Sequence, residues 1–224
     1  MTKKDWICVL RDTLPVMTGY LVLGMGFGMI MEANGFGLLW SLSMSLFIYA
    51  GSMQYAAIGL LTGGASLLTV ALTTLAVNAR HLFYGISMVD RYKHTGLRKP
   101  YLMFALTDET YSLVCQTDKG VGYMFWVSVV DHFYWVTGTL LGAVLGHTLS
   151  LNTKGVEFSL TALFLTIFAD QWLTRKDYFS AAAGVAITLG CLLLFGSDRF
   201  LIPSMLLITA VLLLRMGKED AHER

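Results

Sequence analysis

Charge and proline are scarce in this chain. Of its 224 residues only 14% are Asp, Glu, Lys or Arg, and there are 3 prolines. A disordered chain would combine low hydrophobicity with high charge; this one is 55% hydrophobic, with a mean hydropathy of +0.62. The net charge is +1, spread along the chain, so no basic surface exists to track phosphates and nucleic acid is excluded as a partner. Cysteine is scarce too. Cys8, Cys115 and Cys191 lie far apart and form no CxxC pair, which excludes a disulfide scaffold. There is no HxxxH or CxxC spacing, no GxSxG, no phosphate-binding loop and no dinucleotide fingerprint, so the sequence calls for neither a metal nor a cofactor.

What remains is apolar sequence in long runs. Between Glu32 and Arg80 there are 47 consecutive residues without a formal charge. A bilayer-spanning helix needs about 20 apolar residues, so this stretch alone is worth two passes. Further runs lie at 13–31, 133–153, 178–197 and 200–214. Five such runs exceed what a soluble core of this size uses. The chain is therefore read as all-α, a polytopic membrane helical bundle of about 6–8 segments: 14–31, 38–61, 65–89, 101–117, 121–148, 156–173, 178–196 and 200–215. Residues 1–13 are read as a cytoplasmic N-terminal segment, 14–215 as the transmembrane domain and 216–224 as a cytoplasmic tail. The first run follows Lys3, Lys4 and Arg11, but it is longer than a secretory h-region and no small-x-small site follows it; a retained anchor fits better.

The positive residues constrain the topology. Clusters at Lys3/Lys4/Arg11, Arg91/Lys93/Arg98/Lys99, Arg175/Lys176 and Arg215/Lys218/Arg224 would all prefer the cytoplasm. Eight full passes cannot satisfy them. The conflict disappears if segments 38–61 and 101–117 are broken or re-entrant helices; the alternative is that the positive-inside preference is violated once or twice. The polar interruptions Tyr49-Ala-Gly-Ser-Met-Gln54 and Thr107-Asp-Glu109 mark where the helices would break. An N-cap role for Thr107 or Asp108 is compatible with such a break. Gly138, Gly142 and Gly146, with Gly24 and Gly28, carry the four-residue spacing that lets helix backbones approach closely in lipid, and are read as packing positions.

Ionisable groups inside the apolar segments call for an explanation. Asn78, Arg80 and His81 lie in 65–89, Asp108 and Glu109 in 101–117, Asp131 and His132 in 121–148, and Asp170 and Gln171 near the end of 156–173. A centred charge costs about 2.5–3.5 kcal/mol, so Arg80, Asp108, Glu109 and Asp131 left unpaired would cost roughly 10–14 kcal/mol. One reading is a structural ion pair, Arg80 with Asp108 or with Asp131. The sharper one is a polar pathway flanked by broken helices, whose free N–H groups at Gly51-Ser52 and Thr107-Asp108 suit a carboxylate ligand. That pathway would bring the groups at 80, 108 and 131 together in one hydrated chamber. Histidine is open between proton relay and packing. Tyr49, Tyr55 and Tyr84 lie beside the breaks.

At these residues the chain resembles the AzlC family, large subunits of bacterial branched-chain amino-acid exporters. The resemblance covers most of 14–173 and rests on Pro15 with Gly19, Tyr49-Ala-Gly-Ser-Met-Gln54, Val77-Asn-Ala-Arg-His-Leu-Phe-Tyr84, Leu106-Thr-Asp-Glu109 and Trp135-x-x-Gly138-x-x-x-Gly142. Gly155-Val-Glu-Phe158 with Ala162-Leu-Phe164 resembles a further family element, with Glu157 where Asp is usual. The last 50 residues match mainly in hydropathy.

The resemblance implies export of branched-chain or related amino acids across the cytoplasmic (inner) membrane, proton coupling, and a small AzlD-type membrane subunit as partner. Within it the substrate or ion pathway is read as Ser52, Gln54, Asn78, Arg80, His81, Tyr84, Asp108, Glu109 and Asp131, with no catalytic residue. Two alternatives stand beside it: a membrane-embedded enzyme using intramembrane Asp/His acid–base chemistry, and a non-transporting membrane scaffold.

Overall fold

The computed structural model describes residues 3–115, 117–148, 165, 169, 172, 178–196 and 200–222. Described residues form helices α1 (Lys3–Ala33), α2 (Gly37–Phe47), α3 (Gly51–Thr62), α4 (Leu67–Asn78) and α5 (Arg80–Met88). A 3-10 turn (Gly96–Arg98) leads into α6 (Lys99–Phe104), α7 (Asp108–Val114) and α8 (Val121–Thr148), and then come Tyr178–Phe195, here α9, and Leu201–His222, here α10. Segment 156–173, with Asp170, Gln171 and the 155–164 motif, falls outside the described residues apart from three isolated helical positions.

Contacts divide the chain into two units, Met1–Ser66 with Val77–Leu160 and Leu67–Ala76 with Thr161–Arg224. In the first, α1 and α8 form the principal contact, and α2, α3, α6 and α7 lean on that pair. Glycine makes the pairing possible. A Cβ on Gly24 would stand 2.8 Å from the Trp135 carbonyl oxygen, and one on Gly138 would stand 2.8 Å from that of Tyr20. One on Gly142 would strike the Met25 backbone, and one on Gly28 the Thr139 backbone. Gly146 is looser, 3.2 Å from Met29 Cα and Glu32 Cβ. Small residues matter here because the packing contact itself drives helix association where lipid replaces water. Tyr20, Phe27, Met31, Tyr49, Tyr55 and Trp135 fill the core beside this seam. In the second unit α9 and α10 pack together, with the Arg215 guanidinium 4.8 Å from the Phe179 ring centre.

The helix bounds add detail to the sequence reading. Helix α1 begins at Lys3 and takes in residues 3–13. Segment 65–89 is two helices, interrupted at Ala79, where no glycine or proline announces a break. The last helix continues through His222, into the expected tail. The two foreseen interruptions are present. Chain 38–61 breaks over 48–50: Met44 O accepts from both Ile48 N and Tyr49 N, Tyr49 takes a left-handed φ of 45°, and α3 starts with Gln54 N bonded to Ala50 O. A bulky residue at that φ is strained and stays there only if its surroundings fix it. Here the Tyr49 ring stacks on His132, centroids 4.2 Å apart. Chain 101–117 breaks over 105–107. Thr107 is extended and caps α7, its Oγ1 accepting from Thr110 N at 3.2 Å, so the cap falls to Thr107 rather than Asp108.

Helices over Asp5–Ala33 and Tyr178–Phe195 are long and apolar enough to cross a bilayer. At 28 residues α8 spans about 42 Å at 1.5 Å per residue. It carries Asp131 and His132 near its middle. Large apolar side chains face outward on α9, where Leu193 is 86% and Leu194 81% exposed. Water does not favour such a surface, whereas lipid does.

Candidate functional site

Three helices begin at one place. Ser52 is the second residue of α3, Arg80 the first of α5 and Asp108 the first of α7. Arg80 joins them, donating from Nη1 to Asp108 Oδ2 at 2.7 Å and from Nη2 to Ser52 Oγ at 3.0 Å. A helix start carries free N–H groups and partial positive charge. Asp108 suits that position and Arg80 does not, so the arginine depends on its acidic partner. The two side chains are 36% and 32% exposed. Arg80 Nε, Asp108 Oδ1 and Asn78 Oδ1 are buried without a hydrogen-bond partner. The Arg80–Asp108 pair thus keeps one donor and one acceptor in reserve.

The residues that follow Arg80 on α5 are partly aromatic. His81 Nδ1 lies 3.2 Å from the Asn78 carbonyl oxygen, and its ring meets Tyr84 edge-on at 5.8 Å. Tyr84 in turn stacks on Tyr111 at 4.4 Å. Helices α5 and α6 wall a cleft of about 420 Å³ that starts at His81 and is lined by Gly85, Ile86, Tyr92, Lys99, Met103 and Leu106 among others.

The next residues of α7 turn the other way, since successive helical side chains diverge by about 100°. Glu109 Oε2 accepts from Tyr20 OH at 2.8 Å. Tyr20 OH also lies 2.6 Å from Thr107 Oγ1. Thr107 Oγ1 is 3.1 Å from Thr110 Oγ1, which reaches Asp131 Oδ2 at 3.0 Å. Asp131 is fully buried on α8, its Oδ1 unpartnered. The ionisable groups therefore form two adjoining clusters divided by the first turn of α7. Arg80 takes Asp108 as its partner; Asp131 meets Thr110 instead.

Gln54 joins neither cluster. Fully buried, it accepts from Trp135 Nε1 at 3.0 Å and donates to Ser45 Oγ at 3.1 Å, and Ser45 Oγ lies 2.8 Å from Thr139 Oγ1. It fastens α3 to α2 and α8. His132 is likewise occupied, with Nε2 3.1 Å from the Ser45 carbonyl oxygen and Nδ1 3.0 Å from Tyr101 OH. The neutral ring with its proton on Nε2 satisfies both contacts. Sequence reasoning passed over Tyr20, Ser45, Thr110 and Thr139. The available signal was Thr107-x-x-Thr110 directly at the break, with Tyr20 next to Gly19.

Helices broken within apolar segments, with ionisable side chains gathered at the breaks, are the build of a membrane transport protein. The chain belongs to the AzlC family: the family described as AzlC protein matches residues 15–149. It is 42% identical over 217 residues to the branched-chain amino acid transport protein AzlC of Bacillus subtilis, covering 94% of this chain and 85% of that one. An uncharacterized membrane protein of Haemophilus influenzae is 44% identical, covering 92% and 87%. The inner membrane protein YgaZ of Escherichia coli is 30% identical, covering 80% and 78%. The first two alignments cover more than nine-tenths of the chain and so extend past residue 173. No solved structure matches the chain.

Proposed function

We propose that this chain is the large subunit of a multi-pass secondary transporter that exports branched-chain or related amino acids across the cytoplasmic (inner) membrane, coupled to protons and working with a small AzlD-type membrane subunit. It transports rather than catalyses. The observation that carries the reading is the Ser52–Arg80–Asp108 cluster at three helix starts. A zwitterion needs a cation for its carboxylate and an anion for its ammonium group, a few ångströms apart. Arg80, aided by the N–H groups of α3 and α5, meets the first need. Asp108 Oδ1 meets the second. Glu109 and Asp131 are then left for the coupling proton. A proton crossing 100 mV supplies about 2.3 kcal/mol, which sustains roughly a fifty-fold gradient at 1.4 kcal/mol per decade. The names of the B. subtilis and E. coli relatives support the substrate class and the membrane.

The test is counterflow in proteoliposomes, with and without a small partner subunit, across a panel of amino acids and two pH gradients. Labelled leucine, isoleucine or valine should enter against preloaded unlabelled amino acid, and charged amino acids should not. Absence of counterflow for every aliphatic amino acid, with the partner present, would overturn the reading.

A further inference from the structure

Glu109 and Asp131 are the ends of one unbroken chain of hydroxyl groups. The order is Glu109 Oε2, Tyr20 OH, Thr107 Oγ1, Thr110 Oγ1, Asp131 Oδ2, with separations of 2.8, 2.6, 3.1 and 3.0 Å. Four oxygen–oxygen links need four protons between them. Tyr20, Thr107 and Thr110 bring three, one per hydroxyl. The backbone contributes none to these links. The Thr110 N–H points at Thr107 Oγ1 and takes one of its lone pairs, so that hydroxyl can only receive from one neighbour and give to the other. With both carboxyl groups ionised, one link therefore has two oxygen lone pairs facing each other, buried, at hydrogen-bond distance. One further proton removes the conflict, and it must sit on a carboxyl group at one end.

We infer that Glu109 and Asp131 together hold a single proton, and that Tyr20, Thr107 and Thr110 are the wire that moves it between them. With the proton on Glu109, every hydroxyl donates toward Asp131. Transfer is concerted. Glu109 gives its proton to Tyr20, Tyr20 gives its own to Thr107, Thr107 to Thr110, and Thr110 to Asp131 Oδ2. One O–H bond breaks and one forms at each hydroxyl, each ends neutral, and the net change is one proton moved from Glu109 to Asp131 with all the hydroxyls reversed. Glu109 is half-buried and Asp131 fully buried, so the wire joins an accessible carboxyl group to an inaccessible one.

The surroundings leave the proton as the available counter-charge. Around Asp131 stand Glu109 of α7, Tyr49 of the α2–α3 break and Tyr101 of α6, with His132 next along α8 held by Tyr101 and Ser45. Around Glu109 stand Tyr20 of α1, Tyr49 and Tyr84. The nearby cation of α5, Arg80, is paired to Asp108. Among the described residues neither Glu109 nor Asp131 has an ion-pair partner. A second uncompensated carboxylate adds to the cost already carried by the fully buried Asp131.

The use of this wire for coupling rests on the transport reading; the proton count does not, and two measurements separate them. In infrared spectra of the full-length chain in lipid at neutral pH, a protonated-carboxyl stretch should be present in wild type and absent from Glu109→Gln/Asp131→Asn. Identical spectra in that region would overturn the shared proton whether or not the protein transports anything. In proteoliposomes, Thr110→Val cuts the wire while preserving shape. It should keep leucine exchange at equal pH and lose about tenfold in accumulation driven by a pH gradient, with Thr110→Ser restoring it. Full gradient-driven accumulation in both Thr110→Val and Tyr20→Phe would overturn the wire.

Discussion

Arg80 Nη1 lies 2.7 Å from Asp108 Oδ2, each the first residue of its helix, so the ion pair binds two helix starts end to end. Because both side chains are about a third exposed, the pair contributes little to stability, on the order of 1 kcal/mol or less. Its removal should instead be felt in transport. Arg80→Ala should insert normally, as judged by its level in the membrane fraction, yet lose counterflow by at least about a hundred-fold, the order seen when a single well-placed electrostatic contact is removed. Arg80→Lys should recover only part of it, because an ammonium cannot hold Ser52 and Asp108 in the same fork. Normal counterflow in Arg80→Ala would remove this residue from the site.

The α1–α8 seam makes a separate prediction about stability. Gly142→Val places a side chain into the Met25 backbone, and overpacking of this kind costs about 1–3 kcal/mol where flexible neighbours can yield. Backbone yields less, so the upper end is expected. Gly59, on α3, has nothing within 4 Å of its virtual Cβ, and Gly59→Ala should be neutral or stabilise by about 0.5–1 kcal/mol. Thermal unfolding in detergent, followed by tryptophan fluorescence, compares the two.

Gln54 is expected to behave as a fastener. Gln54→Leu leaves Trp135 Nε1 and Ser45 Oγ without their partner, at a cost of about 1–3 kcal/mol. Substrate affinity of the protein that remains folded should be unchanged. Counterflow concentration dependence measures that, and a large shift in half-saturation would return Gln54 to the binding site.

A pH effect is expected away from the membrane interior. Lys119, in the loop before α8, donates to Asp12 Oδ2 at 2.6 Å, and that hydrogen bond together with one to Cys8 holds its ammonium above the usual lysine range. A raised value means the contact stabilises fully at pH below the unfolded lysine's and fades as pH rises through the folded one. Lys119 is 42% exposed, so Lys119→Met should cost no more than about 1 kcal/mol near pH 7. The deficit should shrink in high salt and disappear in strongly alkaline solution, as seen in unfolding midpoints across pH.

The sequence made some of this architecture legible and concealed the rest for physical reasons. Polar residues in mid-segment exposed the breaks at 48–50 and 105–107, because a backbone leaving the helix in an apolar setting needs side chains to satisfy it. The break at Ala79 lies between Asn78 and Arg80, polar residues read as part of a pathway rather than as a break, and Ala79 itself keeps helical angles, φ −52° and ψ −33°. Arg80, Asp108, Glu109 and Asp131 stood out by charge, though two candidate partners for Arg80 remained open and only the fold chose Asp108. The hydroxyls were concealed because a serine or threonine in an apolar helix can bond its own preceding turn. Ser43, Thr62 and Thr148 do so, while Ser45, Thr110 and Thr139 reach across to other helices. Residue type alone does not separate the two groups.

The glycine seam also limits how this molecule can change shape. Two backbones in direct contact along α1 and α8 have no slack to slide or splay, so they behave as a fixed post. Any rocking that opens the Arg80 cluster first to one side of the membrane and then to the other must be borne by the short helices flanking the breaks, with Tyr49 and Thr107 at the pivots.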